Sequence, residues 1–180
     1  MIDKPVATHR IKAEELRLLE RIAIFRDLTE DQLHKMLGVM SRRHSPPGEI
    51  IVQEGDLGET MFVLVNGTVE VSKSLTLRLS DGDFGSGEKT LLRLSANDGA
   101  FFGEMAMLES SERSATVSAL TECEMLELSK DDFAALCSNE PELGFRVLSN
   151  IVRVLSARLR KANSDVLKLT TALSIALSNR

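Results

Sequence analysis

The sequence contains no Trp and no Tyr, and aromatic residues make up only 4% of its 180 residues. A core must therefore be built from aliphatic side chains. At 43% hydrophobic residues the chain has enough of them for one ordinary domain. No run of about 18 apolar residues occurs, so we expect no membrane span. The N-terminus also lacks the apolar segment of a signal peptide.

Cysteine is scarce as well. Cys123 and Cys137 are the two cysteines, and their separation matches no metal-ligand motif, so we expect no metal site. Two free thiols are typical of a reducing compartment, which favours a cytoplasmic protein. The hydroxyls, acids and histidines do not follow the order of a nucleophile and its base, so we expect no enzyme activity.

Positive charge is limited and unevenly placed. The formal net charge is −5, but residues 141–180 carry seven Lys/Arg and two acids, which leaves −10 for residues 1–140. Nucleic-acid-binding domains usually concentrate basic residues on one surface. The acidic main part therefore predicts no nucleic-acid partner, and the basic tail is typical of a solvated helix face.

Short strands divided by turns dominate the middle of the chain. Helical spacing covers 10–24, and Thr29 is a good N-cap for a second helix that reaches Met40. Strands are then predicted at 50–52, 60–65, 68–73, 91–94, 116–119 and 124–128. Asn66-Gly67 predicts a hairpin between two of them, and three glycines in 80–88 predict a mobile loop.

These patterns predict a mainly β fold with flanking helices, an antiparallel β-roll or jelly-roll barrel. We expect an N-terminal helical segment at 1–24, the β-roll domain at 25–140 and a long C-terminal helix at 141–180. Ser129 is a predicted N-cap, and Pro141 suits the first turn of the last helix.

The last helix carries apolar residues at alternating intervals of three and four. They are Val152, Leu155, Leu159, Ala162, Val166, Leu169, Leu173 and Ala176. A seam of more than three heptads favours a parallel homodimer through this helix. The alternative is that the helix packs entirely on its own domain.

The most informative stretch is FGEMAML at 102–108, followed by RSATV at 113–117. Gly103 allows the backbone to come close to a ligand, and a short helix starting near Glu104 would present free N–H groups. Arg113 can hold two oxygens of a phosphate. Glu104 accepts hydrogen bonds only, which suits sugar hydroxyls. A small anionic ligand with a sugar is therefore predicted.

This stretch resembles the phosphate-binding cassette of the cyclic-nucleotide-binding domain family. Phe-Gly-Glu, Ala-x-Leu and Arg-Ser-Ala-x-Val all follow the family pattern, and Ser-Glu before Arg113 is most similar to the bacterial catabolite activator group. The resemblance extends to Pro47-Gly48-Glu49 and Gly55-Asp56, and in effect covers 25–165. We call residues 102–117 the cassette.

The resemblance implies that Glu104 accepts from the ribose 2′-OH and that Arg113 pairs with the cyclic phosphate. Ser114 and the N–H of Ala115 would add phosphate contacts. The ligand-binding set expected from it is Phe102, Gly103, Glu104, Met105, Ala106, Arg113, Ser114, Ala115, Val63 and Asn163. The structural alternative for Glu104 and Arg113 is an internal salt bridge.

The resemblance also implies that the last helix lies across the pocket and contacts the base. Ala162 and Asn163 take the positions where the activator group places two hydroxyl residues against adenine, so the identity of the base stays open. Members selective for cGMP often carry Thr where this chain has Ser114. This favours cAMP as the ligand, with cGMP as the alternative.

The predicted function is a cyclic-nucleotide-binding regulatory module that signals through its C-terminal helix to an effector protein of unknown identity. The alternative is a degenerate domain that serves as a dimerisation scaffold. The activator group has a DNA-binding domain after the long helix, whereas this sequence ends at Arg180, so we expect no DNA binding by this chain. Whether the chain is part of a longer protein stays open.

Overall fold

The computed structural model describes residues 13–80 and 83–178. Its helices are α1 (Ala13–Arg21), α2 (Glu30–Gly38), α3 (Glu104–Glu109), α4 (Lys130–Asn139) and α5 (Pro141–Ser178), with 3₁₀ turns at Ala23–Phe25 and Ala96–Asp98. Its strands are β1 (Ser41–Ser45), β2 (Ile50–Val52), β3 (Thr60–Asn66), β4 (Thr68–Ser80), β5 (Asp83–Ser95), β6 (Phe101–Phe102), β7 (Thr116–Ala119) and β8 (Cys123–Ser129).

The strands form two four-stranded sheets, ordered β1-β8-β3-β6 and β2-β7-β4-β5. Every pairing between these named strands is antiparallel. Helices flank the two sheets, and a long helix follows them in the chain. The predicted fold class, an antiparallel β-roll with flanking helices, is confirmed.

Strand β3 divides the hydrophobic core into two clusters. Phe62 and Leu64 belong to an inner cluster with residues of both sheets, where the rings of Phe62 and Phe102 stack at 5.2 Å. Met61 and Val63 belong to an outer cluster with residues of α1, α2, α4 and α5. Side chains alternate between the two faces of a strand, so one run of apolar residues contributes to both clusters.

The predicted helix caps are confirmed. Thr29 forms a capping box with Gln32, each side chain accepting a hydrogen bond from the other residue's backbone N–H. Ser129 accepts from the N–H of Asp132 at the start of α4. Pro141 is the first residue of α5, where its missing N–H has no cost.

The hairpin predicted at Asn66-Gly67 is wrong. Strands β3 and β4 follow each other in the chain but lie in different sheets, so Gly67 is a corner between sheets. Gly67 has φ +94°, and a Cβ there would overlap the carbonyl oxygen of Glu122 and lie 2.8 Å from Sγ of Cys123. Asn-Gly favours a tight reversal whether or not the two strands then pair.

Two other expectations are corrected. Residues 83–88 of the predicted mobile loop lie in β5, where Ser72 Oγ donates to Glu88 Oε1 at 2.6 Å, while residues 81 and 82 lie outside the described residues. The second helix ends at Gly38, and Ser41–Ser45 form β1, an edge strand that was not predicted. Its sequence SRRHS lacks the apolar alternation by which strands are identified.

Helix α5 changes its environment along its length. Leu143, Val147 and Ile151 are buried in the outer cluster, and Asn150 donates to the carbonyls of Ile24 and Arg26. From residue 157 to residue 178 every residue is exposed, including most of the predicted heptad seam. In residues 13–80 and 83–178, no helix combines the length and apolar character needed to cross a bilayer.

Candidate functional site

A cavity of about 480 Å³ lies between the inner β-roll, the cassette and one face of α5. Its volume is in the range used by small-molecule sites. Apolar side chains form much of its wall: Val52, Val71, Leu91, Leu92, Leu94, Phe101, Phe102 and Val117. Its charged lining residues are Glu104, Arg113, Arg158, Lys161 and Asp165.

The cassette is positioned by an unusual backbone conformation at Gly103. This residue has φ +83° and precedes α3, whose Met107 N–H donates to the Gly103 carbonyl at 3.1 Å. A Cβ at Gly103 would lie 2.8 Å from both Arg113 Nη1 and the Thr60 carbonyl oxygen. Only glycine combines this left-handed conformation with this close approach to Arg113 and Thr60.

Arg113 is buried, with 8% of its surface exposed, and it is held by neutral oxygens. Nη1 donates to the carbonyls of Thr60 at 2.6 Å and Gly103 at 3.3 Å, and Nη2 donates to Thr60 Oγ1 at 2.8 Å. Burial lowers the pKa of Arg113, and the more distant carboxylates of Glu127 and Asp56 partly offset this effect. The cavity wall therefore holds a buried cation without an ion-pair partner among the described residues.

Glu104 is also buried, at 4% exposed, but it does have a charged partner. Arg158 of α5 donates from Nη1 to Glu104 Oε1 at 2.6 Å and from Nη2 to the Phe101 carbonyl at 3.2 Å. Its guanidinium carbon lies 4.8 Å from the centre of the Phe101 ring. The structural alternative, a salt bridge between Glu104 and Arg113, is therefore not formed, and Glu104 pairs instead with Arg158 of α5.

Eight of the ten predicted ligand-binding residues line the cavity: Phe102, Gly103, Glu104, Met105, Ala106, Arg113, Ser114 and Ala115. The structure does not bring the other two to it. Val63 is fully buried in the outer cluster, because it alternates with Phe62 and Leu64 along β3. Asn163 is exposed on α5 outside the lining, whereas its neighbour Ala162 lines the cavity.

The sequence interpretation missed three charged residues of α5. Arg158, Lys161 and Asp165 line the cavity together with Ala162. Intervals of three, four and seven residues place all of them on one helix face. Once Ala162 was placed against the base, this helical period was the signal that would have identified the other three.

Comparisons with known proteins find matches over much of the chain. A model of the family described as "Cyclic nucleotide-binding domain" matches residues 42–140. The chain is 32% identical over 143 residues to the cyclic AMP receptor protein of Thermus thermophilus, a match that covers 79% of this chain and 60% of that protein.

Two solved structures are also similar to this chain. The catabolite activator protein of Thermus thermophilus has a TM-score of 0.69 at 31% identity, covering 82% of this chain and 63% of that one. The regulatory domain of Toxoplasma gondii PKA, solved with cAMP, has a TM-score of 0.54 at 29% identity, covering 67% and 42%. The chain spans less than two thirds of the length of each of these three proteins.

Proposed function

Because this chain belongs to the cyclic nucleotide-binding domain family, we propose that its cavity binds cAMP and that the protein is a regulatory module rather than an enzyme. One observation carries the proposal. The buried cation of Arg113, which has no ion-pair partner among the described residues, and the buried carboxylate of Glu104 line the same cavity, whose remaining wall is largely apolar. This arrangement suits a ligand with an anionic group, a sugar and a flat apolar body.

The phosphate end of the ligand binds Arg113. The guanidinium presents parallel N–H groups that match two phosphate oxygens, and such charge-assisted pairs are stronger than neutral hydrogen bonds. Thr60 and Gly103 hold the guanidinium through oxygens that do not neutralise its charge. Ser114 and Ala115 follow directly along the cavity wall and add a hydroxyl and backbone N–H groups.

The ribose end binds Glu104. Arg158 occupies Oε1 of this carboxylate, which leaves Oε2 to accept a hydrogen bond from the ribose 2′-OH. Arg158 also keeps the buried carboxylate paired before the ligand arrives, because an unpaired buried charge is costly.

We assign cAMP rather than cGMP because Ser114 stands where cGMP-selective members of the family often carry Thr. We also assign the protein to the cytoplasm, on the basis of its two free thiols.

Helix α5 transmits ligand binding to the rest of the signalling system. This helix contacts the cassette at Arg158 and continues to residue 178 with an exposed apolar seam. We propose that the seam forms a parallel homodimer and that cAMP shifts α5 relative to the β-roll, which alters the surface offered to an effector protein. Such a shift requires that cAMP binds the two positions of α5 with different affinity.

Thermal unfolding with added nucleotide tests the binding proposal. At a cAMP concentration of a hundred times the dissociation constant, the native state gains about 2.7 kcal/mol. Arg113→Gln should lose most of this gain. The matched control is Arg93→Gln, because Arg93 is an exposed arginine of β5 that pairs with Glu70 outside the cavity. If neither cAMP nor cGMP raises the unfolding temperature of the wild-type protein, this result would instead support the scaffold alternative.

A further inference from the structure

A second, smaller pocket lies where the first turns of α5 meet the chain that follows the 3₁₀ turn Ala23–Phe25. Three arginines line it, Arg26, Arg146 and Arg153, so we call it the arginine pocket. Its lining residues differ from those of the nucleotide cavity. We propose that the arginine pocket is a second binding site of this protein and that its ligand is a phosphate group.

Helix α5 supplies two of the arginines. Arg146 and Arg153 are seven residues apart, which places them on one face of the helix. Arg146 donates from Nη1 to the carbonyl of Asp27 at 3.0 Å and from Nη2 to Glu142 Oε1 at 2.7 Å. Arg153 donates from Nη1 to Asn150 Oδ1 at 3.0 Å. A neutral amide therefore holds the guanidinium of Arg153 without neutralising its charge.

The third arginine reaches the pocket because the chain at 24–27 is fixed against α5. Asn150 is buried, and its Nδ2 donates to the carbonyls of Ile24 at 3.2 Å and Arg26 at 2.8 Å. Asp27 has φ +63°, a left-handed conformation that Asp and Asn adopt more readily than most other residues. Its carbonyl is the one that accepts from Arg146. These contacts give the arginine pocket a defined wall on both sides.

The charge of the lining favours a phosphate group. Three arginines and one carboxylate, Asp27, leave two positive charges in the wall. Glu142 pairs with Arg146 from outside the lining, and its side chain is 73% exposed, so water screens this pair. The Arg26 side chain has no hydrogen-bond or ion-pair partner among the described residues. A phosphate monoester carries a charge of about −1.5 to −2 at pH 7 and three acceptor oxygens, which several guanidinium groups can share.

The size of the pocket limits what can enter it. Its volume is about 220 Å³, below the range of about 300–1,000 Å³ that is typical of sites for whole small molecules. A phosphate group fits, whereas the molecule that carries it stays outside. Phe145 also lines the pocket and is 72% exposed. A phosphate ester can therefore place its organic part on this ring, which free phosphate cannot do.

Nuclear magnetic resonance titrations with inorganic phosphate and phenyl phosphate, in a buffer without phosphate, test this inference. Arg26→Gln and Arg153→Gln should each weaken binding about fivefold, because each removes a charged donor. Asp27→Asn should strengthen binding, because it removes the negative charge of the lining while Asn keeps the left-handed backbone. The matched control is Arg160→Gln, an exposed arginine of α5 outside both linings, which should change nothing. Tighter binding of phenyl phosphate identifies an ester as the ligand, and equal binding identifies free phosphate.

Three results would overturn the inference. The first is that neither ligand shifts any resonance of the wild type at millimolar concentration. The second is that binding is lost in Arg113→Gln but kept in Arg26→Gln, which would place the phosphate in the nucleotide cavity. The third is that Arg160→Gln weakens binding as much as Arg26→Gln does, which would show an effect of net charge alone. The proposed function is tested separately with cAMP, so failure of either leaves the other standing. Far-ultraviolet circular dichroism confirms that the variants are folded.

Discussion

Arg113 and Arg158 line the same cavity but have different partners. Arg113 is buried and held by the carbonyls of Thr60 and Gly103, so its charge is available to an anion. Arg158 is half exposed and neutralises the buried carboxylate of Glu104. The partners of each arginine, more than its presence in the cavity, decide its role in the site.

Replacing Arg158 tests its part in this pair. We expect Arg158→Ala to lower the free energy of unfolding by about 1–2 kcal/mol, because it leaves Glu104 buried without a charged partner. The loss is smaller than for a fully buried pair, since water reaches Arg158. Urea denaturation measures the change. Arg160→Ala is the control, because Arg160 is exposed and has no hydrogen-bond or ion-pair partner among the described residues.

A second substitution shows whether the cost comes from Glu104. The double variant Arg158→Ala/Glu104→Gln carries a neutral amide in place of the unpaired carboxylate, so it should recover part of the lost stability. If the double variant is as unstable as the sum of both single variants, the loss has another origin.

At the scale of elements, the corner at Gly67 decides how the chain divides between the two sheets. Strand β3 ends at Asn66 and pairs with β6 and β8, whereas β4 begins at Thr68 and pairs with β5 and β7. The reversal occurs against the backbone of Glu122 and Cys123. A side chain at Gly67 would therefore push the corner away from the end of β8.

We expect Gly67→Ala to destabilise the fold by about 2–4 kcal/mol, since it combines left-handed backbone strain with a steric overlap against backbone. Thermal unfolding measures the shift. Gly55→Ala is the matched control: Gly55 has φ +86°, but nothing lies within 4 Å of a Cβ built there. It should cost only the strain, about 1 kcal/mol. Equal losses in both variants would contradict the proposed overlap at the corner.

The elements also show what the sequence can predict. The caps at Thr29 and Ser129 were predictable because they depend on neighbours three residues away. The pairing partners of β3 were not predictable, because Asn66-Gly67 indicates a turn but does not indicate which strands lie beside β3 in the sheet. β1 was missed because an edge strand does not need apolar alternation.

The candidate site could likewise be predicted from the sequence only in part. The cassette residues that line the cavity all lie within positions 102–117, so a motif identifies them from the sequence. The residues of α5 reach the same cavity from more than forty positions away, and their contribution depends on which helix face turns inward. Val63 was placed wrongly because the inward face of β3 could not be read from a continuous apolar run.

At the scale of the whole molecule, α5 links the cavity to an exposed apolar seam. Its first turns are anchored by Leu143, Val147 and Ile151, but Leu159, Val166 and Leu173 are each about 60% exposed. A stripe of this length is rarely left in water by a stable protein. A second copy of the same helix would cover it with the heptad spacing that the sequence shows.

Leu173→Glu tests the proposed dimer without touching the β-roll. We expect it to raise the dissociation constant of the dimer tenfold or more, about 1.4 kcal/mol, because it places like charges in the apolar seam. Sedimentation equilibrium over a range of protein concentrations measures the constant. Ile175→Glu is the control, since Ile175 is as exposed but lies off the seam. A wild type that stays monomeric throughout would contradict the dimer.

A calorimetric titration of the purified protein with cAMP, with 5′-AMP titrated in parallel, measures nucleotide binding to this cavity directly. We predict one cAMP bound per chain, weaker binding of 5′-AMP, and a loss of about 2–5 kcal/mol of binding free energy in Arg113→Gln, because a bidentate charged contact is removed. No heat with cAMP, or the same affinity in Arg113→Gln as in the wild type, would contradict the claim that this cavity is a cyclic-nucleotide site.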